Sequence, residues 1–171
     1  MLDAPCGGVH SSWMNTTLRR IKESIPCFTY LGVDVVPSVV QKNREGFAKH
    51  SSWVRFAEMD LSSPSSSSSS SSSHGSISNA SSSSSNVQMR SLPSGFHLVL
   101  SRDALQHLSY VAIAEALRNY CLSRAAYLLV GSYLLPAADG HSKNRDIAVG
   151  ETFSIDLLSE PFSFKGVCAY A

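Results

Sequence analysis

The stretch Phe28-Thr29-Tyr30-Leu31-Gly32-Val33-Asp34-Val35-Val36 is followed at once by Pro37. It is apolar almost throughout and rich in β-branched and aromatic residues, which marks a strand covered on both faces. Such a strand belongs inside a parallel sheet with helices above and below it. Asp34 is its one charge and stands near its carboxyl end. Pro37 brings a preset φ to the first turn of the next helix, whose inner side carries Val39, Val40 and Phe47.

Upstream, residues 1–4 form a short apolar strand containing Leu2 and Asp3, closed by the tight turn Pro5-Cys6-Gly7-Gly8. Ser11 or Ser12 can cap a helix through Trp13, Met14, Leu18 and Ile21, which stops before Pro26. Downstream, residues 54–59 make a third strand ending at Asp60, and residues 96–100 a fourth. Ser101-Arg102-Asp103 then leads into a short helix over 104–108. Ser109 caps a longer one, with Val111, Ala114, Leu117 and Cys121 on its apolar face and Glu115, Arg118, Asn119 and Arg124 on its polar side. Residues 126–135 read as a fifth, buried strand. Strict alternation of strand and helix predicts one α/β domain over residues 1–171, a doubly wound, mostly parallel sheet. Ligands of such sheets bind at the carboxyl ends of the strands. Asp3, Asp34, Asp60 and Asp103 all stand at that end, as an acidic rim.

One segment cannot contribute to a core. Residues 62–86 are dominated by serine, with nine in succession at 65–73. Such composition buries nothing and favours a disordered surface insertion.

Charge and cysteine usage narrow the function classes. Fourteen basic residues oppose thirteen acidic ones, for a net charge of +1. The nearest basic cluster is Arg19, Arg20 and Lys22, at the spacing of a solvated helix face. No stripe of the kind that phosphate backbones demand is present, so no nucleic-acid partner is expected. Cys6, Cys27, Cys121 and Cys168 are scattered without a CxxC pair, which suggests reduced thiols and no zinc site. No basic segment followed by an apolar run opens the chain, so no secretory signal is expected. The most apolar segment, 125–138, is too short for a membrane span of about 20 residues. A cytoplasmic protein is the expectation.

Four pieces in order resemble the class I S-adenosylmethionine-dependent methyltransferases. They are Leu2-Asp3-Ala4-Pro5-Cys6-Gly7-Gly8, Tyr30-Leu31-Gly32-Val33-Asp34-Val35-Val36, Asp60-Leu61, and Leu98-Val99-Leu100-Ser101-Arg102-Asp103-Ala104-Leu105-Gln106-His107-Leu108. The resemblance runs from Met1 to about Phe162 around the serine tract. It implies a Rossmann-like fold, S-adenosylmethionine as cofactor and a small-molecule methyl acceptor. It implies that Gly7 and Gly8 pass close to the cofactor, with Asp3 near its amino group. Asp34 would grip the ribose hydroxyls beside Val35, Asp60 and Leu61 would meet the adenine, and Ser101 and Arg102 would contact the cofactor after the fourth strand. Pro5 and Val9 replace the outer glycines of the family's loop, and His97 follows Phe96 where an acid is usual. Against the family pattern the chain looks truncated at both ends, which leaves a non-catalytic binding domain as an alternative. A dinucleotide-linked oxidoreductase is a more distant one, because Gly7-Gly8-Val9-His10 does not supply GxGxxG.

Several residues keep two readings. Asp34 can bind ribose or cap the next helix, and Asp60 can read adenine or close a turn. Asp103 and His107, at i and i+4, share a face of the expected short helix and form a candidate catalytic acid–base couple. On the other reading, Asp103 is an N-cap and His107 a partly buried helix residue. His10 and Trp13 suit packing or the pocket wall. His141, Lys143, Asn144 and Arg145 stand where substrate contacts or plain surface polarity would serve.

Deleting residues 65–85 should leave the thermal midpoint nearly unchanged, since loop closure depends weakly on loop length. A large drop on thermal denaturation would show that the tract packs against the domain.

Overall fold

The computed structural model describes residues 1–63, 91–133 and 144–165. Five strands lie in one sheet: β1 (Leu2–Asp3), β2 (Tyr30–Asp34), β3 (Val54–Glu58), β4 (Leu98–Ser101) and β5 (Tyr127–Val130). Their order is β3-β2-β1-β4-β5, and every pairing is parallel. The chain winds outward from β1 to β3, then returns to β4 on the other side. The expected α/β, doubly wound sheet is present, and its switch point falls between β1 and β4.

The crossovers contain α1 (Trp13–Ser24), α2 (Pro37–Gly46) and α3 (Tyr110–Leu122). Ser12 caps α1 by accepting from the Met14 N–H, and Ser109 caps α3 by accepting from Ala112. Pro37 occupies the first turn of α2. All five residues of β2 are buried, as a strand covered on both faces requires. Their side chains divide with period two. Leu31 and Val33 join a core with Ile113, Ala116 and Tyr120 of α3. Tyr30 joins a second core with Met14 and Leu18 of α1 and Val40 and Phe47 beside it. Gly32 sits on that second face because there is no room for more. A Cβ there would lie 2.8 Å from two carbons of the Phe56 ring and 3.0 Å from Cys6 Cβ.

Four expectations need correction. The segment over 104–108 is a single 3-10 turn, Leu105–His107, preceded by Asp103 in left-handed conformation (φ 51°). The buried face of α3 is Ile113, Ala116, Asn119 and Tyr120, while Val111 is 74% exposed. The helix is apolar on several sides, so periodicity alone did not single out the buried one. β5 is an edge strand, with Tyr127, Leu128 and Leu129 all exposed, and is not buried. Ser62 and Ser63, expected to open the serine insertion, belong to an ordered turn. The Asn119 amide donates to the carbonyls of Leu61 (2.8 Å) and Ser63 (3.1 Å) and ties that turn to α3. Residues 64–86, residues 134–143 with His141 and Lys143, and residues 166–171 with Cys168 lie outside the described residues.

Gly32→Ala should destabilise the fold by about 1–3 kcal/mol through overpacking. The Phe56 ring cannot yield easily, because it is wedged against Tyr30 and Phe47 at centroid distances of 5.8 and 5.6 Å. Gly8→Ala is the control, since its Cβ would meet only Ser11 Oγ at 3.6 Å. Urea unfolding midpoints of the two variants measure the contrast.

Candidate functional site

At the carboxyl ends of β1, β2 and β4 the backbone opens into a cleft of about 280 Å³, lined by the Pro5-Cys6-Gly7-Gly8 turn with Ser12, Asp34, Arg102 and Asp103. The turn is pinned from several directions. The Gly7 N–H donates to Asp34 Oδ2 (2.9 Å), and the Val36 N–H donates to Oδ1 (3.0 Å). The Cys6 N–H donates to the Val33 carbonyl at 2.8 Å. Asn43, fully buried on α2, donates to the Gly7 carbonyl at 2.7 Å and accepts from the His10 N–H at 3.2 Å. Gly7 has φ +58°, a conformation that side chains resist, and a Cβ there would meet nothing within 4 Å. Its backbone therefore faces open space.

Beneath the cleft lies a polar cluster on the α1/α2 face of the sheet. Asp3 is fully buried and accepts from the Tyr30 hydroxyl at 2.8 Å. Arg102 comes within 3.9 Å of Asp3, donates to the Cys6 carbonyl at 3.2 Å and lies over the Trp13 ring at 5.1 Å. Asp3 Oδ1 and Arg102 Nε are buried with no hydrogen-bond partner among the described residues. Burial pushes the Asp3 carboxyl up from 3.8 to about 6; the Tyr30 hydroxyl and Arg102 oppose the shift, and Asp34 adds to it. Burial likewise raises the Cys6 thiol, so it is not a ready nucleophile.

The other sequence candidates take varied positions. Asp34 does not serve as N-cap of α2, a place held by Val36, but its bond to the Val36 N–H shapes the helix entry. Val35 turns outward and is exposed. Asp60 accepts from the Ser62 N–H and hydroxyl (2.8 and 2.6 Å) and from the Ser63 hydroxyl (2.8 Å), which makes it a turn former. Those bonds, the Ser62 hydroxyl foremost, hold its carboxyl below the ordinary value. Leu61 is buried in the core under α3 and does not line the cleft. Ser101 is buried, with its hydroxyl 2.9 Å from that of Tyr120.

Asp103 reaches the cleft wall, whereas His107 is exposed and does not line it. With a 3-10 turn between them, the two do not share a helical face, and among the described residues no hydrogen bond joins them. Asp103 is not an N-cap, nor is His107 partly buried; a left-handed residue at Asp103 re-aims the chain before the turn. His10 packs against Asn43, with ring Nδ1 3.1 Å from Asn43 Oδ1. Asn144 bonds the carbonyls of Asp156 and Glu160, and Arg145 lies over Phe153, so both serve the C-terminal segment.

Sequence reading missed Tyr30, Asn43 and Tyr120. Asn43 had a signal, since Val40 and Asn43 of α2 and its C-cap Phe47 lie at i, i+3 and i+7. Tyr30 and Tyr120 read as ordinary apolar residues, although buried tyrosines normally find a partner.

No protein-family model matches the chain, and no curated protein sequence matches it. Among the described residues, no helix is long and apolar enough to cross a membrane.

The Asp3 displacement has a testable sign. Its pKa is higher folded than unfolded, so the folded chain holds the proton more tightly and stability falls as pH rises from about 4 through 6. The loss reaches up to about 3 kcal/mol by pH 7. Asp3→Asn lacks this dependence and should gain on the wild type across that window. Denaturant titrations at pH 4, 5, 6 and 7 measure it; parallel pH profiles would refute it.

Proposed function

We propose that the chain is a class I S-adenosylmethionine-dependent methyltransferase with a small-molecule acceptor. The observation that carries the reading is the meeting of the Gly7-Gly8 turn with Asp34 at one cleft, on the switch-point side of a parallel sheet.

The residues present suit that cofactor. A carboxylate has about four lone-pair sites. Asp34 uses one on each oxygen for Gly7 and Val36, which leaves one on each for a pair of neighbouring hydroxyls. Asp3 is buried beneath the cleft and outside its lining, so it bears on a ligand through its negative charge. Gly7 and Gly8 keep the adjoining wall free of side chains. When bound, the cofactor supplies a methyl group already activated by a sulfonium. What remains for the protein is to bind, orient and exclude water.

Electrostatics favour this ligand over a dinucleotide. Among the described residues, Asp34 and Asp103 line the cleft with Arg102 as the one cation, and Asp3 lies beneath. An excess of carboxylate welcomes a sulfonium and repels a pyrophosphate. Dinucleotide sites also set the phosphates on the first helix N-terminus. Here a 3-10 turn, Val9–Ser11, intervenes between the glycines and α1.

Calorimetric titration with the demethylated product, S-adenosylhomocysteine, tests the reading. The wild type should show saturable binding, and Asp34→Asn should weaken it roughly tenfold by removing charge and an acceptor. Gly8→Ala should lower affinity while leaving stability within about 0.5 kcal/mol. Folded wild-type protein with no saturable heat at millimolar ligand, alongside binding of a nicotinamide dinucleotide, would overturn it.

A further inference from the structure

Beside the cleft lies a second cavity of about 150 Å³, lined among the described residues by Asp103, Leu105, Gln106, Gly131–Tyr133 and their neighbours Ala104 and Ile155. It lies just past the carboxyl ends of β4 and β5. Asp103 is a wall of both cavities.

Its walls are built from the fold. Leu105 and Ile155 are buried core residues. The Tyr133 N–H donates to the Ile155 carbonyl at 2.8 Å, and Ser132 Oγ accepts from the Leu157 N–H at 3.0 Å, so two strands of chain hold the far side. Among the described residues of this mostly apolar and neutral lining, one is charged. Asp103 is exposed, and among the described residues its carboxylate has no hydrogen-bond or ion-pair partner. Its backbone is left-handed at φ 51°, an uncommon conformation for a non-glycine residue that is often kept at ligand sites.

We propose that this cavity binds a small organic cation, a ring-sized apolar body bearing an ammonium group, with Asp103 as its counter-ion. Size supports the body: cavities of roughly 150 Å³ with apolar walls accept a benzene ring. Charge supports the head, because among the described residues the lining sets no cation beside this carboxylate, which favours a positive partner. Tyr133 adds an aromatic side chain, of a kind attractive to ammonium groups. On the methyl-transfer reading, on which this clause alone rests, the parent amines of such cations are the acceptor class.

The test uses benzylamine, benzyl alcohol and benzoate as probes of one shape and different charge, titrated into the whole chain and followed by calorimetry and by chemical-shift changes. Asp103→Asn is the decisive variant, since asparagine tolerates left-handed backbone while removing the charge and one acceptor. Benzylamine should bind at least tenfold tighter than benzoate, and Asp103→Asn should erase that preference. Equal binding of the three probes, no binding at millimolar probe, or a preference untouched in a folded Asp103→Asn variant would each overturn the proposal. A parallel titration with S-adenosylhomocysteine separates the two readings. Its binding without benzylamine binding defeats only the cation site, and the reverse result defeats only the methyl-donor assignment.

Discussion

β1 is two residues long, yet both halves of the sheet hang on it. Leu2 and Asp3 pair with Leu31 and Gly32 on one side and with Val99 and Leu100 on the other. So short a strand has few ladder bonds, and the chain beyond it is held by other means. The Ala4 N–H continues the ladder to the Leu100 carbonyl, and the Tyr120 hydroxyl donates to the Ala4 carbonyl at 2.9 Å. Asp34, Asn43 and Arg102 then fix the turn that follows, from β2, α2 and the end of β4 in sequence. Side-chain bonds to backbone thus replace strand length. They also converge on the segment that forms the cleft, so the fold's central strand and the site's rigid wall are the same few residues.

This arrangement explains why a carboxylate is tolerated at the centre of the sheet. An unpaired buried charge is costly unless hydrogen-bonded or neutralised. Asp3 receives one good bond, from Tyr30, and a distant guanidinium, and its raised pKa shows that compensation is incomplete. Replacing it with an apolar residue would leave the Tyr30 hydroxyl stranded in the second core. The cluster therefore holds a partly unsatisfied acceptor beneath the turn that lines the cleft.

The two edges of the sheet differ in the same spirit. On β3, Arg44 donates to the Phe56 carbonyl through Nε and a terminal nitrogen, and the strand itself carries Arg55 and Glu58. Charge at an edge discourages further pairing. β5 has no charged residue, and Tyr127, Leu128 and Leu129 are exposed while Val130 packs against the core. Beyond β5 the chain is held instead by the C-terminal segment, through the Tyr133 N–H on the Ile155 carbonyl and the Leu157 N–H on Ser132 Oγ.

Legibility in the sequence follows that division. The α1 and α2 half was readable because its signals are local: Ser12 before an amphipathic run, Pro37 after a buried strand, Gly7 at a positive φ, an acid at the end of β2. Each residue type answers a backbone demand at its own position. The β4–β5 half lacks such demands. α3 has apolar residues on several faces, so its buried stripe was decided by what it met, with Asn119 turned inward to hold the Leu61 turn. Between Ser101 and Leu108 nothing in residue type distinguishes an α-turn from a 3-10 turn. The left-handed residue that sets the difference is an aspartate, one of the few side chains that tolerates that conformation and also favours helix caps. A geometry shared by two interpretations of one residue cannot be separated by spacing. Tertiary context decides it: the turn runs beside Gly131, just past the end of β5, and the Gly131 N–H donates to the Ser101 carbonyl at 2.9 Å.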